Sequence, residues 1–507
     1  VRSRAVLRRL ARRTAGGPPA VQVGRRAQGA GYDERLVRAA LELAVRTGEA
    51  MLSLGSSAGD ASAAVHRVAR AFGVPCQVDL TFTAVLVSHD PGPDGTPVTV
   101  LRVVETRTSD YGRLTEVLAL AGDLTATPRP DPDEPTEALA ARLEQAHARL
   151  DEIVARPHPY RRGLITLLLS VMAAGVAVLL GGGAGVAAVA GATTAVIDRV
   201  LRRLGRWGIP PFFLQAAGAA VATTVAVAML VLVPLLPVER VTLPPSVVVA
   251  SGIVVLLAGL SLVGAAEDAI NGFPVTAVGR VFEVLVLTLG LVVGIGAVLD
   301  VAQRAGVSLD LVDVSADGGP LGLRVAAAAV VSGAWALASY APPRVAAVAA
   351  GAGATGMLAA AALGLLGVGP AASGAGAALV VGLAAELLGG RLRVPPVVTS
   401  VCGIVPLLPG LAIYRGLFVL VDEGGGGQGG AILLGAAMVA VGLAAGVTLG
   451  GLLGRPLRSS ARPLRSGARR LVRPGRRALE QPTRYRRPWA VAARDEVPKG
   501  PADPAEI

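Results

Sequence analysis

Apolar and polar positions divide the chain into a polar N-terminal third, a long apolar middle and a polar C-terminal tail. Between residues 164 and 454 the apolar runs follow one another with short polar interruptions. Ten of them approach the roughly twenty residues needed to cross a bilayer core. They are 164–180, 184–198, 212–233, 246–264, 276–299, 321–340, 345–366, 371–388, 397–420 and 430–453, the second being short and ending on Asp198 and Arg199. The pattern predicts a polytopic α-helical membrane protein. Ahead of it, from Tyr32 to Pro159, the periodicity is that of a folded polar domain. Leu36, Ala40, Leu43 and Ala50 recur at helical spacing. Gly55-Ser56-Ser57 breaks that helix, and Ser57 or Gly59/Asp60 caps a second one reaching Phe72. CQVDLTFTAVLVSHD and PVTVLRVVETRTS read as two strands joined by the turn-rich PGPDGT. Helices are predicted at 111–121 and, after a Pro/Asp linker at 128–135, at 136–155. This gives an α+β domain over 32–159, large enough for its own core.

One stretch is repeated. Pro395–Leu411 matches Pro244–Leu260 without a gap, with ten of seventeen positions identical, well beyond what a shared Val/Leu/Gly bias supplies. The later copy, within Arg391–Gly416, carries Pro406 and Pro409 inside its apolar run; the earlier copy has Val255 and Ala258 there. A proline inside a helix removes a backbone hydrogen bond and clashes with the preceding turn. Membrane proteins accept such breaks where the freed groups face protein, water or a cavity.

Arginine placement sets the expected topology. Arg156, Arg161 and Arg162 precede the first run, and Arg202, Arg203 and Arg206 follow the second. Arg344 lies between the sixth and seventh, Arg391 and Arg393 between the eighth and ninth, and Arg455, Arg458, Arg462, Arg465, Arg469 and Arg470 come after the tenth. The alternate connections are poor in arginine, so the positive-inside rule places both termini in the cytoplasm with ten spans. The two copies then cross in opposite directions, each as the fourth span of a five-span half. Inverted halves with a broken helix near the midplane are the architecture of many secondary transporters; close helix packing is the structural alternative. The expected organisation is a basic disordered tail (1–31), the cytoplasmic α+β domain (32–159), a first membrane half (160–299), an external loop (300–320), a second half (321–454) and a basic cytoplasmic tail (455–507).

The net charge of +12 does not point to nucleic acid: Lys499 is the sole lysine, and the arginines flank the apolar runs, where they meet anionic headgroups. Cys76 and Cys402 are expected in different compartments, without a disulfide. His66, His89, His147 and His158 show no metal-ligand spacing, so neither metal nor cofactor is expected. Ser56, Ser57, Asp60 and His66 make a hydrolase-like set only on paper. No nucleophile elbow surrounds the serines, and a solvated helix face accounts for His66. With no P-loop, transport would draw on an ion gradient or on an ATPase in another chain.

Ionisable groups within spans are functional candidates by default. Arg280 and Glu283 share one helical face, with Asp268, Glu267 and Asn271 just before; Arg280, Glu283 and Asp268 are the proton-coupling candidates. A break at Pro406–Gly410 bares N–H groups for a carboxylate and C=O groups for an ammonium. Pro406, Pro409, Gly410, Tyr414, Arg415 and Asn271 are therefore the substrate candidates.

Three stretches carry a family resemblance: SLGSSAGDASAAVHRVARAFGVP (53–75), DAINGFPVTAVGRVFE (268–283) and IVPLLPGLAIYRG (404–416). They are similar to the bacterial threonine/serine exporter family over about 32–453. The resemblance implies export of threonine and serine by a multi-pass plasma-membrane protein driven by the proton-motive force. It also implies a gating or accessory role for the N-terminal domain. Partners are then a small amino acid, protons and membrane lipids; a homo-oligomer is compatible. A dicarboxylate substrate, and a membrane sensor with a cytoplasmic effector domain, are the alternatives.

Overall fold

The computed structural model describes residues 34–91, 96–127, 135–232, 259–307, 319–410 and 427–460, together with 412, 413, 415, 416 and 419. Most of the fourth apolar run, the core of the acidic loop, Tyr414 and the two expected tails (beyond Ser460 at the C-terminal end) lie outside the described residues.

The N-terminal unit starts with α1 (Glu34–Ser53) and α2 (Ala58–Ala71). α1 buries Val37, Leu41, Ala44, Val45, Met51 and Leu52, a stripe of helical period. Gly48 allows the close approach of α2, since a β-carbon there would lie 2.6 Å from the Val65 side chain. Ser57 caps α2, its hydroxyl accepting from Asp60 N at 3.2 Å. Three antiparallel strands follow in the order β1 (Gln77–Leu80), β2 (Ala84–His89), β3 (Val98–Val103). Val78 pairs with Val87, and Leu86 with Leu101. The first expected strand is thus a hairpin: Thr81 N donates to Ala84 O (2.9 Å) and Ala84 N to the Thr81 hydroxyl (3.0 Å). A threonine hydroxyl replaces the Gly, Asn or Pro that usually marks such a turn, so the sequence shows no punctuation there. α3 (Tyr111–Ala126), capped by Asp110, and α4 (Thr136–Ala155) complete the unit.

The described helices that follow are α5 (Arg162–Leu179), α6 (Ala184–Arg206), α7 (Pro211–Leu232), α8 (Gly259–Ile270), α9 (Pro274–Arg304), α10 (Leu321–Ala338), α11 (Pro343–Leu365), α12 (Pro370–Leu392), α13 (Pro396–Ile404) and α14 (Gly427–Ser460). Among the described residues, eight are long and apolar enough to span a membrane; α8 and α13 are the short ones. α6 runs past its apolar stretch because Asp198 is paired with Arg202 (2.8 Å) and accepts from the Thr166 hydroxyl (2.6 Å). α9 likewise extends past 299, with Asp300 paired to Arg304 at 2.7 Å. α13 stops where the prolines require it. Val405–Leu407 form a 3₁₀ turn, Leu408 is extended, and a helical turn restarts with Ile413 N donating to Pro409 O at 3.0 Å.

Helix packing follows the same order in both halves. α5 packs on α6, α6 on α7 and α7 on α9; α10 packs on α11, α11 on α12 and α12 on α14, while α5 and α10 join the two series. The α12–α14 contact is glycine-lined. Gly442, Gly446, Gly450 and Gly454 fall every fourth residue on α14, and a methyl group on Gly442 would lie 2.7 Å from Ala371 O of α12. Small residues at this spacing let helix backbones touch.

The apolar core of the N-terminal unit does not end at the membrane helices. Leu41, Val65, Tyr111 and Leu150 belong to one buried cluster with Ala336, Val345, Ala349, Val398 and Cys402. Cys76 packs against the same cluster, and both cysteines are free.

Candidate functional site at the domain junction

The N-terminus of α2 meets the α8–α9 hairpin. Asp268, fully buried, accepts a 2.8 Å hydrogen bond from Ala58 N, one of the first-turn amides that a helix cannot satisfy internally. Its other oxygen lies 3.1 Å from Arg280 Nε, and Arg280 Nη2 donates to Ser56 O at 3.0 Å. The pair and the helix dipole are thus complementary: a carboxylate at a positive helix end, neutralised by a guanidinium. Gly264 leaves room for that guanidinium, since a side chain on it would collide with Arg280 Nη1. The Thr276 hydroxyl donates to Leu80 O at 3.2 Å, and Gly279 lies under the Phe82 ring. Arg107 stacks on the other side of the seam, 3.9 Å from the Phe82 centroid, and donates to Phe82 O. Burial, then the neighbouring Arg280, lower the Arg107 pKa to about 10, with Glu283 and Asp268 opposing the shift.

A second contact closes the seam at the α10–α11 turn. Tyr340 has a left-handed backbone (φ 61°), a strained state for an aromatic residue. It persists because its surroundings fix it. His158 stacks on its ring at 4.1 Å, Tyr111 N donates to Ser339 O at 2.8 Å, and the Tyr160 hydroxyl donates to Ala341 O at 2.9 Å. His158 also reaches the buried Asp110 carboxylate at 3.3 Å.

Among the described residues, two of the cavities along the seam reach the α8–α9 hairpin. One, of about 270 Å³, is walled by Ser57, Arg107 and Ser109 from the N-terminal unit, by Ser261, Glu267, Arg280 and Glu283 from α8 and α9, and by Ile404 at the end of α13. The other, of about 300 Å³, is lined by Asp60, Glu267, Asn271, Glu386, Ser400 and Arg455. Glu386 is paired with Arg455 at 3.7 Å. Leu260, which also lines the first cavity, packs in one apolar cluster with Val405 and Leu408 at the α13 break, where Gly259 lies against the Leu408 side chain.

Of the residues singled out in the sequence, Arg280 and Glu283 line one cavity, and Asp268 is buried beside it against Arg280. Arg280 pairs with Asp268, however, and not with its helical neighbour Glu283. Pro406 and Pro409 are half-buried and Gly410 is buried at the break, where Arg415 follows in a helical turn. Asn271 is turned towards α2, beside Gly59, and lines the second cavity instead of the break. Ser57 and Asp60 hydrogen-bond each other (3.1 Å) at the cap of α2, which gives both a structural task. Among the described residues, no group of three or more His, Cys, Asp or Glu side chains is placed to hold a metal ion. Sequence reading missed Arg107: it lies in a loop with no motif, and only the packing of Phe82 brings it to α9.

Two models of the threonine/serine exporter family match the chain, over residues 42–302 and 324–453. A protein of Mycobacterium tuberculosis named "Probable threonine/serine exporter" is 38% identical over 452 residues, 87% of this chain and 82% of that protein. The "Threonine/serine exporter" of Corynebacterium glutamicum is 34% identical over 440 residues, 85% of each. No solved structure matches. With these matches reaching from α1 to α14 across both helix series, the chain belongs to the threonine/serine exporter family.

Proposed function

We propose that this chain exports threonine and serine across the plasma membrane at the expense of the proton-motive force. In this reading the N-terminal unit and both termini are cytoplasmic, and the two five-span halves are inverted repeats. Substrate passes from the junction cavity to the break of α13, where Pro406, Pro409, Gly410, Tyr414 and Arg415 surround it. Glu283 carries the coupling proton. Asp268 and Arg280 hold the N-terminal unit on the membrane helices.

The observation that carries the reading is the interrupted helix α13, Val405–Pro409, set against Gly259 of its own repeat copy. Freed backbone groups at such a break suit the two ends of an amino acid, the N–H side a carboxylate and the C=O side an ammonium. The names of the relatives supply the side chain: a small hydroxy amino acid. The test is efflux from a deletion strain loaded with a threonine-containing dipeptide. Restoring the gene is expected to speed threonine and serine efflux, and collapse of the proton gradient to abolish the gain. Unchanged efflux on restoration overturns the proposal, and competition by succinate instead of serine turns it into dicarboxylate export.

A further inference from the structure

The cavity of about 270 Å³ has an unusual division of labour: its charged wall comes from two parts of the chain that are far apart in sequence. Arg107 and the hydroxyls of Ser57 and Ser109 belong to the N-terminal unit; Glu267, Glu283 and Ser261 belong to α8 and α9. Arg280, the other cation there, is committed to Asp268 (3.1 Å) and Ser56 O (3.0 Å). Arg107 is held flat on Phe82 and uses its fork to donate to Phe82 O. A guanidinium has five donors, so donors remain for a planar, two-oxygen acceptor. Burial and the neighbouring Arg280 lower its pKa to about 10, yet it stays cationic at neutral pH.

The missing compensation is that of a zwitterion. A carboxylate on Arg107 and an ammonium between Glu267 and Glu283 would satisfy both signs while adding no net charge to a buried space. Ser261 lines the same space and is the candidate to meet a hydroxyl-bearing side chain, since the Ser57 hydroxyl is bonded to Asp60. At about 270 Å³ the cavity lies just below the roughly 300–1,000 Å³ of sites for larger small molecules, so it suits a single amino acid and not a nucleotide or peptide.

We infer that this junction cavity is an amino-acid binding site in which Arg107 of the N-terminal unit clamps the substrate carboxylate and Glu267 and Glu283 take the ammonium. The inference rests on the export function proposed above and adds to it a site that is complete only when the N-terminal unit is docked. Substrate bound there is one residue from the α13 break through Ile404, beside the apolar cluster of Leu260 and Leu408.

Binding to the purified full-length chain in detergent tests it, using calorimetry with L-threonine, threonine methyl ester and N-acetylthreonine. The intact protein is expected to bind threonine and to bind each blocked analogue at least tenfold more weakly. Arg107→Gln should weaken threonine at least tenfold while leaving the methyl ester, which has no carboxylate to lose, unchanged. Arg107→Lys keeps the charge and stem but not the fork, and should give an intermediate loss; it serves in place of Arg107→Gln if the latter fails to fold. A folded Arg107 variant with unchanged threonine affinity and unchanged ester discrimination overturns the site. The two proposals fail differently. A wild-type chain that neither binds threonine nor restores its efflux removes the export function. Efflux restored equally, with the same KM, by wild type and Arg107→Gln removes only the assignment of Arg107.

Discussion

Asp268 shows how one side chain ties sequence-distant parts together. It is an acceptor for the α2 amide of Ala58 and the counter-charge of Arg280, with no exposure to solvent. Removing one partner of a buried pair costs about 3–5 kcal/mol because the other charge is left uncompensated. Asp268→Ala and Arg280→Met should therefore each lower the melting temperature and speed proteolysis at the seam. The double variant should lose less than the sum, with a coupling of about 1–3 kcal/mol in a double-mutant cycle; strictly additive losses would show the pair to be unimportant. Glu283, facing the same cavity without that structural task, behaves differently. Glu283→Gln should leave stability near wild type and abolish the proton dependence of threonine flux in proteoliposomes, and flux that still responds to an imposed pH gradient would exclude it as the proton carrier. The sequence marked Asp268, Arg280 and Glu283 because charges beside apolar runs stand out. It had no means of marking Arg107, whose importance arises from a tertiary contact with Phe82.

At the scale of elements, the glycine row of α14 is the clearest case of sequence written for packing. Methyl groups on Gly446 or Gly450 would collide with the backbone of α12 at Ala375 and Leu379, whereas Gly451 faces open space. Gly446→Val and Gly450→Val should each destabilise by about 1–3 kcal/mol or more through overpacking. Gly451→Ala should be neutral or slightly stabilising because alanine is the better helix former. Thermal denaturation in detergent separates the cases; equal melting of Gly446→Val and Gly451→Ala would mean that α12 and α14 are not in backbone contact. Helix existence was readable from apolar run length, with ends missed where ion pairs carry helices past their apolar stretch, as Asp198–Arg202 does in α6 and Asp300–Arg304 in α9. The prolines of the ninth run announced its interruption, since no rearrangement of neighbours restores a missing N–H. The β1–β2 hairpin was hidden because a threonine hydroxyl closes it.

At the scale of the whole molecule, the N-terminal unit and its seam are sensitive to acid, with His66 and His147 inside the unit and His158 at the seam. His66, His147 and His158 all have pKa values below the ordinary imidazole value, chiefly through burial, with Arg70 beside His66 and Arg113 beside His158 adding to it. The unfolded chain then binds more protons than the folded one around pH 6.5 and below, so stability is full above that value and falls as pH drops through the depressed folded pKa values. Melting temperature should be flat from pH 8 to about 7 and decline towards pH 5.5. His158→Gln should flatten the decline in part by removing one titrating contact of the seam; an acid-stable wild type would contradict this account. The continuity of the core was the least legible feature of the chain. Composition divides it sharply at residue 160, yet Tyr111 and Cys402 share one buried cluster.

That shared cluster has a consequence for biogenesis. The N-terminal unit leaves the ribosome before Ala336, Val345 and Val398 have been made, so the surface it later buries against α10, α11 and α13 stays wet for much of synthesis. Nascent chains must therefore be shielded until the second helix series is inserted. A polypeptide truncated after α9 carries that apolar face unburied, a natural mark for quality-control proteases.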